Sequence, residues 1–172
     1  MPNTMFPIFL KMDQIQTLVV GGGNVALEKA SAILRNSPEA NLTLVAPFFR
    51  PETLEYLQDF PQVRIIERGF QASDLVGLDL IICATDSSEL HAEIKALAAA
   101  QHLLCNVADT PPLCDFYLGS IVQKGDLKIS PVQPIRRTLK LAEQAQSLRR
   151  PLIRYLFIGT SASTRCLASD QI

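Results

Sequence analysis

An α/β fold built on a doubly wound parallel sheet is what these 172 residues predict, and three observations carry that expectation. Short apolar, β-rich runs alternate with helix-forming runs along most of the chain. A glycine cluster lies directly between the first such strand and the first such helix. The hydrophobic share, 48%, is large enough to bury both faces of a sheet.

The elements follow in order. Residues 17–20, TLVV, read as a strand buried on both faces, and 24–35 read as a helix. A strand over 41–45 precedes a helix over 51–59, with Pro51 in its first turn, and a strand over 63–66. The apolar run at 80–84 is a fourth strand. A helix over 87–101 follows, which Asp86 would cap with Glu89 three residues on. Residues 103–107 make the fifth strand. Five strands separated by helices imply the order 3-2-1-4-5 with right-handed crossovers. Ligands on such a sheet lie beyond the carboxyl ends of its strands, an edge that here carries residues 21–25, 46–48, 85–86 and 106–109.

The glycine cluster has the chemistry of a dinucleotide site. Gly21, Gly23 and Ala26 fall at the spacing G-x-G-x-x-A. The first position allows a tight turn, the second lets backbone approach a pyrophosphate, and the third keeps the helix close to the strand. Helix N–H groups beginning near Asn24, with the positive end of the helix dipole, would hold the phosphates. The expected domain is thus Rossmann-type and its cofactor NAD; a plain glycine turn with no ligand has the same spelling. The second strand ends in Val45-Ala46-Pro47-Phe48, without the acidic residue that often takes the ribose hydroxyls. Arg50 nearby is either a partner for a 2′-phosphate or a solvated surface residue.

Other classes are disfavoured. No apolar run approaches the ~20 residues of a membrane span, and no signal-peptide pattern opens the chain, so a cytoplasmic protein is expected. The formal charge of −1 gives no support to nucleic-acid binding. Cys83, Cys105, Cys114 and Cys166 show neither a C-x-x-C pair nor metal-ligand spacing with His91 or His102, so no metal site is expected. Cys83 and Cys105 read as buried free thiols, and both histidines as ordinary structural or surface residues.

Three segments together carry a resemblance. PIFLKMDQIQTLVVGGGNVALEKA at the start, ATD at 84–86 and CNVADTPPLCDFYLGSIVQKGDLKI at 105–129 are similar to the precorrin-2 dehydrogenase and sirohydrochlorin ferrochelatase family, the amino-terminal part of siroheme synthases. The match runs from Pro7 to Ile129. It implies NAD-dependent oxidation of precorrin-2 to sirohydrochlorin, with ferrous iron insertion in some members. It also implies a homodimer whose Rossmann domain is followed by a dimerisation region and a small helical domain. The family's cofactor contacts fall on Asn24 and Val25, and on Pro47 and Phe48. Thr85, Asp86 and Asn106 complete the expected cofactor edge.

The family's catalytic acid, in the segment N-V-x-D, falls on Asp109. A carboxylate beside a nicotinamide can accept the proton released by dehydrogenation, or strip pyrrole N–H protons before metal insertion. Asp109 can equally cap the turn into Thr110-Pro111-Pro112, a common use of Asp before proline. Asp115 is a second acidic candidate, and Asn106 either orients the loop or cofactor or makes a structural hydrogen bond.

After Ile129 the resemblance stops. Relatives continue into A-I-S-T-N-G-x-S-P-x-x-A, where this chain reads SPVQPIRRTLK. Residues 1–129 hold 9 Lys+Arg against 15 Asp+Glu, while 130–172 hold 7 against 2. The expected organisation is an NAD-binding domain over 1–112, the start of a dimerisation region over 113–129, and a divergent basic tail over 130–172. That tail is either a basic helix over 135–149, with Arg136, Arg137 and Lys140 on one face, or out-of-frame sequence replacing lost elements. Beside the dehydrogenase stands one alternative, a non-catalytic dinucleotide-binding module or inactive truncated homologue.

Overall fold

A computed structural model of the chain describes residues 5–119, 121–124 and 127–129. The expected tail over 130–172, its helix and Cys166 lie outside the described residues. The chain divides into two units, Met1–Leu118 and Gly119–Ile172.

The first unit is the predicted sheet. β1 (Thr17–Val20), β2 (Leu42–Ala46), β3 (Arg64–Glu67), β4 (Leu80–Cys83) and β5 (Leu104–Val107) run parallel in the order β3-β2-β1-β4-β5. β1 is central, and all four of its residues are buried. A strand between two others and covered on both faces needs continuous apolar sequence, which is why TLVV does not alternate.

Alternate residues of each strand enter two separate cores. Val19, Leu44 and Ile82 stand side by side on one face, beneath α1 (Asn24–Asn36) and α2 (Pro51–Leu57). Leu18, Val20, Ile81 and Cys83 fill the other face, beneath α3 (Ser88–Ala100). α1 buries Ala26, Ala30, Ile33 and Leu34, an i, i+4, i+7, i+8 stripe. Burial of Ile33 and Leu34 contributes about 1.5–3 kcal/mol each. Ala26, fully buried, keeps the start of α1 against the sheet.

Three local expectations are corrected. α3 is capped by Ser87, whose Oγ accepts from the Leu90 N–H at 3.2 Å, not by Asp86. Adjacent Asp and Ser are both good caps, and it is Ser87 that holds the extended backbone at the helix start. α2 ends at Leu57, two residues early. The link from β3 to β4 holds a 3₁₀ turn, Ala72–Leu75, in place of a helix. That turn is closed by Asp74, which accepts from the Gln71 N–H at 2.9 Å and pairs with Arg68 at 2.5 Å. It inserts Leu75, fully buried, into the second core.

The second unit contains an antiparallel hairpin, β6 (Val122–Lys124) with β7 (Leu127–Ile129), which pairs Val122 with Ile129 and Lys124 with Leu127. Among the described residues no helix is long and apolar enough to cross a membrane. Cys83, Cys105 and Cys114 are free thiols, the first two buried as expected. A hydrogen bond donated to Cys105, together with burial, pushes the Cys83 thiol up, so it stays protonated.

Candidate functional site

The carboxyl ends of β1 and β4 lie side by side, and the chain leaves them toward opposite faces, α1 onto one and α3 onto the other. This is the topological switch point, where the sheet opens a crevice. Three hydrogen bonds extend the ladder into the loops: Gly21 N–H to Val45 O at 2.9 Å, Ala84 N–H to Val20 O at 2.8 Å, and Ala108 N–H to Cys83 O at 2.9 Å.

The glycines have different physical roles. Gly21 adopts φ +137°, a region L side chains rarely enter, and a Cβ there would overlap the Ala84 carbonyl. Gly22 passes so close to Phe48 and Phe49 that a Cβ would collide with backbone. Gly22 O also accepts from the Arg50 N–H at 2.9 Å and from the buried Thr53 hydroxyl at 3.1 Å, clamping the β2–α2 loop onto the glycine loop. Gly23 differs from both. Its φ of −91° suits any residue, and a Cβ there would meet nothing within 4 Å.

Gly23 caps α1 without a side chain, and among the described residues the N–H groups of Asn24, Val25 and Ala26 have no acceptor. A thirteen-residue helix thus presents unsatisfied donors and its positive end beside Gly23, where a Cβ would meet nothing within 4 Å among the described residues. The residues present fit a dinucleotide pyrophosphate, which needs such donors and a backbone without a Cβ in its way.

Around this cradle the other expected residues are distributed by the loops. Pro47 and Phe48 are exposed on the β2–α2 loop, Phe48 with 65% of its surface accessible. Thr85 is half-buried after β4 and shares a 2.9 Å hydrogen bond with Nε2 of His91; its Oγ1 also accepts from the Ser87 N–H at 3.3 Å. His91, read from sequence as ordinary, is buried on α3 and holds that hydroxyl. No periodicity links residues six apart across a loop and a helix start, so sequence gave no signal of it. Asp86 is exposed beside Thr85.

Two acidic residues follow β5 in very different states. Asp115 binds Lys95 at 2.5 Å and accepts from the Cys105 N–H at 2.9 Å. Burial opposes its ionisation, but the lysine and that N–H together hold its carboxyl below the usual range. Asp115 is therefore a structural anion. Asp109 is exposed at φ +58°, at the tip of a turn closed by Thr110 N–H to Val107 O at 3.2 Å. Its carboxylate has no hydrogen-bond partner among the described residues, and the following 3₁₀ turn, Pro111–Leu113, takes no side-chain cap. Asp109 does not cap that turn; the carboxylate is left available. Asn106 is buried, and its amide donates to Phe116 O at 2.8 Å, fastening residues 114–116 under β5. Among the described residues no three His, Cys, Asp or Glu side chains gather to hold a metal.

Fold and cradle define a dinucleotide-binding α/β domain of the Rossmann type. Comparison with known proteins agrees: residues 8–120 match the family model described as "Putative NAD(P)-binding", and the chain belongs to that family. Among curated proteins it is 41% identical over 125 residues to a siroheme synthase of Pseudoalteromonas atlantica, covering 73% of this chain and 26% of that protein. It is also 41% identical over 125 residues to a siroheme synthase of Ectopseudomonas mendocina, and 37% identical over 124 residues to siroheme synthase 1 of Serratia proteamaculans. The chain spans about a quarter of the length of these relatives. Among solved structures it shares its fold with "SirC, precorrin-2 dehydrogenase", with a TM-score of 0.65 at 23% identity over 83% of this chain and 70% of that one.

Proposed function

We propose that this protein is an NAD-dependent dehydrogenase that oxidises precorrin-2 to sirohydrochlorin, a step of siroheme biosynthesis. The observation that carries the reaction is Asp109, an unpartnered carboxylate held in left-handed backbone on the same edge as the open helix start of α1. Similarity to siroheme synthases supports the substrate class.

Bound NAD supplies the hydride acceptor. The N–H groups of Asn24, Val25 and Ala26 would hold its pyrophosphate beside Gly23, and Pro47 and Phe48 would contact the nucleotide from the β2–α2 loop. Thr85, fixed by His91 and the Ser87 N–H, and Asp86 line the crevice beyond β4. Oxidation removes a hydride and a proton from the macrocycle, and Asp109 would accept the proton and pass it to water. Asn106 keeps the loop carrying Asp109 in place through its bond to Phe116 O. A homodimer and iron insertion belong to the same reading, as does a cytoplasmic setting, to which buried free thiols are suited.

Anaerobic incubation of the 172-residue chain with precorrin-2 and NAD tests the proposal. Sirohydrochlorin and NADH are expected to appear in equal amounts. NAD binding without product would leave a dinucleotide-binding module and overturn the dehydrogenase.

A further inference from the structure

We infer that Cys114 is a positioning residue for the proposed reaction: its thiol fastens together the two ends of the turn that carries Asp109. The inference rests on Asp109 being the base and goes beyond it, naming what holds that carboxylate on the cofactor edge.

β5 is an edge strand, so the backbone groups on its outer side have no neighbouring strand to meet. In a parallel ladder alternate residues face each way, and Ala108 N–H turns inward to Cys83 O at 2.9 Å. Cys105 and Val107 therefore face outward. The chain comes back along this side and answers both. Asp115 takes Cys105: its carboxylate accepts from the Cys105 N–H at 2.9 Å, and its own N–H donates to Cys105 O at 2.8 Å. A single thiol takes Val107. Cys114 Sγ accepts from the Val107 N–H at 3.3 Å and donates its proton to Val107 O at 3.1 Å, and a thiol can do both at once, being a weak donor and a weak acceptor. Thr110 O lies 3.5 Å from the same sulfur, as does the Asn106 amide nitrogen.

Asp109 needs such a fastening. At φ +58° it occupies left-handed backbone, which is costly for a residue with a side chain and persists only where the surroundings fix it. Its carboxylate has no partner among the described residues, so its place is set by the backbone on either side. Ahead of it stands the bond from Ala108 to Cys83. Behind it Thr110 N–H donates to Val107 O at 3.2 Å, and the thiol then ties residue 114 to residue 107. The Asp115 carboxylate is bound outside this turn, to Cys105 and Lys95; it holds the returning segment, whereas the thiol closes the turn itself.

Amide exchange and turnover of the whole chain test this together. In wild type the Val107 N–H is expected to be protected, and in Cys114→Ala to exchange at least about tenfold faster. In single-turnover oxidation of precorrin-2 the alanine variant should be slower by about tenfold or more, with its NAD Kd within about twofold of wild type. Cys114→Ser keeps a donor and an acceptor at that place and should recover the rate to within about threefold of wild type. In an Asp109→Asn background Cys114→Ala should cost nothing more, because residues that act as one unit are not additive. Thermal melts establish that each variant folds. A wild-type Val107 N–H that exchanges as in an unstructured peptide would overturn the inference whether or not they do. So would an unchanged rate in Cys114→Ala, or a loss of the same factor in both backgrounds, which would make the thiol's role one of general stability. Failure of the wild type to oxidise precorrin-2 would overturn the dehydrogenase reading instead, and Val107 exchange would still read the fastening separately.

Discussion

The backbone of Ala84 fills the space where any residue other than glycine at position 21 would place its Cβ. The β1 and β4 loops are therefore in van der Waals contact at the base of the crevice. The close approach is a property of the fold itself, independent of any ligand. Gly21→Ala combines that overlap with φ +137° and should destabilise the protein by about 3 kcal/mol or more. Chemical denaturation checks this, and a change below about 1 kcal/mol would show that the loops can move apart.

Gly23 gives the opposite expectation. A methyl group there meets no protein atom and the backbone is unstrained, so Gly23→Ala should cost less than about 1 kcal/mol of stability, the size of a lost glycine N-cap. The same methyl group stands where the pyrophosphate must approach, and NAD affinity should fall at least about tenfold. Calorimetry beside a melt separates the two effects; unchanged affinity would remove Gly23 from the cofactor site.

Asp115 and Asp109 should separate in the same way. Asp115→Ala removes the acceptor of the Cys105 N–H and the partner of Lys95, a loss of about 1–2 kcal/mol of stability. Turnover per folded molecule should be kept, since this carboxylate is engaged in holding the loop. Rates measured well below the melting temperature check the prediction.

The Arg68–Asp74 pair predicts a pH dependence. Arg68 holds the Asp74 carboxyl below its ordinary value, mainly through the side-chain hydrogen bond. A depressed carboxyl pKa stabilises the folded state above the unfolded pKa, about 3.9, and that contribution is lost as pH falls through the lower folded value. The difference in Tm between wild type and Asp74→Asn should be constant from neutral pH to about pH 5 and shrink below pH 4. A gap that widens on acidification would contradict the assignment.

The sheet was legible because β1 and β4 are continuous apolar runs bounded by glycine or polar turns, and G-x-G-x-x-A fixed where the first crossover begins. The β3–β4 link was not, because a 3₁₀ turn built around Asp74 and Arg68 depends on a side-chain pair and carries no helical period. At the site, sequence placed Gly21, Gly23, Asn24 and Asp109 on one edge. It put Asp109 ahead of Asp115 through the family resemblance alone, since the lysine that engages Asp115 lies twenty residues away on α3. Nor did it show that Arg50 reaches Asn24, a contact across twenty-six residues.

The central claim is that Asp109 accepts the proton in the dehydrogenation of precorrin-2. Asparagine tolerates left-handed backbone, so Asp109→Asn should fold as the wild type and bind NAD with the same affinity while losing only the base. Single-turnover oxidation of precorrin-2 by NAD, measured anaerobically for both proteins, is the direct comparison. A rate lowered about 10²–10⁴-fold in the variant, with NAD affinity kept, is the predicted result. Equal rates in the two proteins would contradict it and return Asp109 to a purely structural place in the turn.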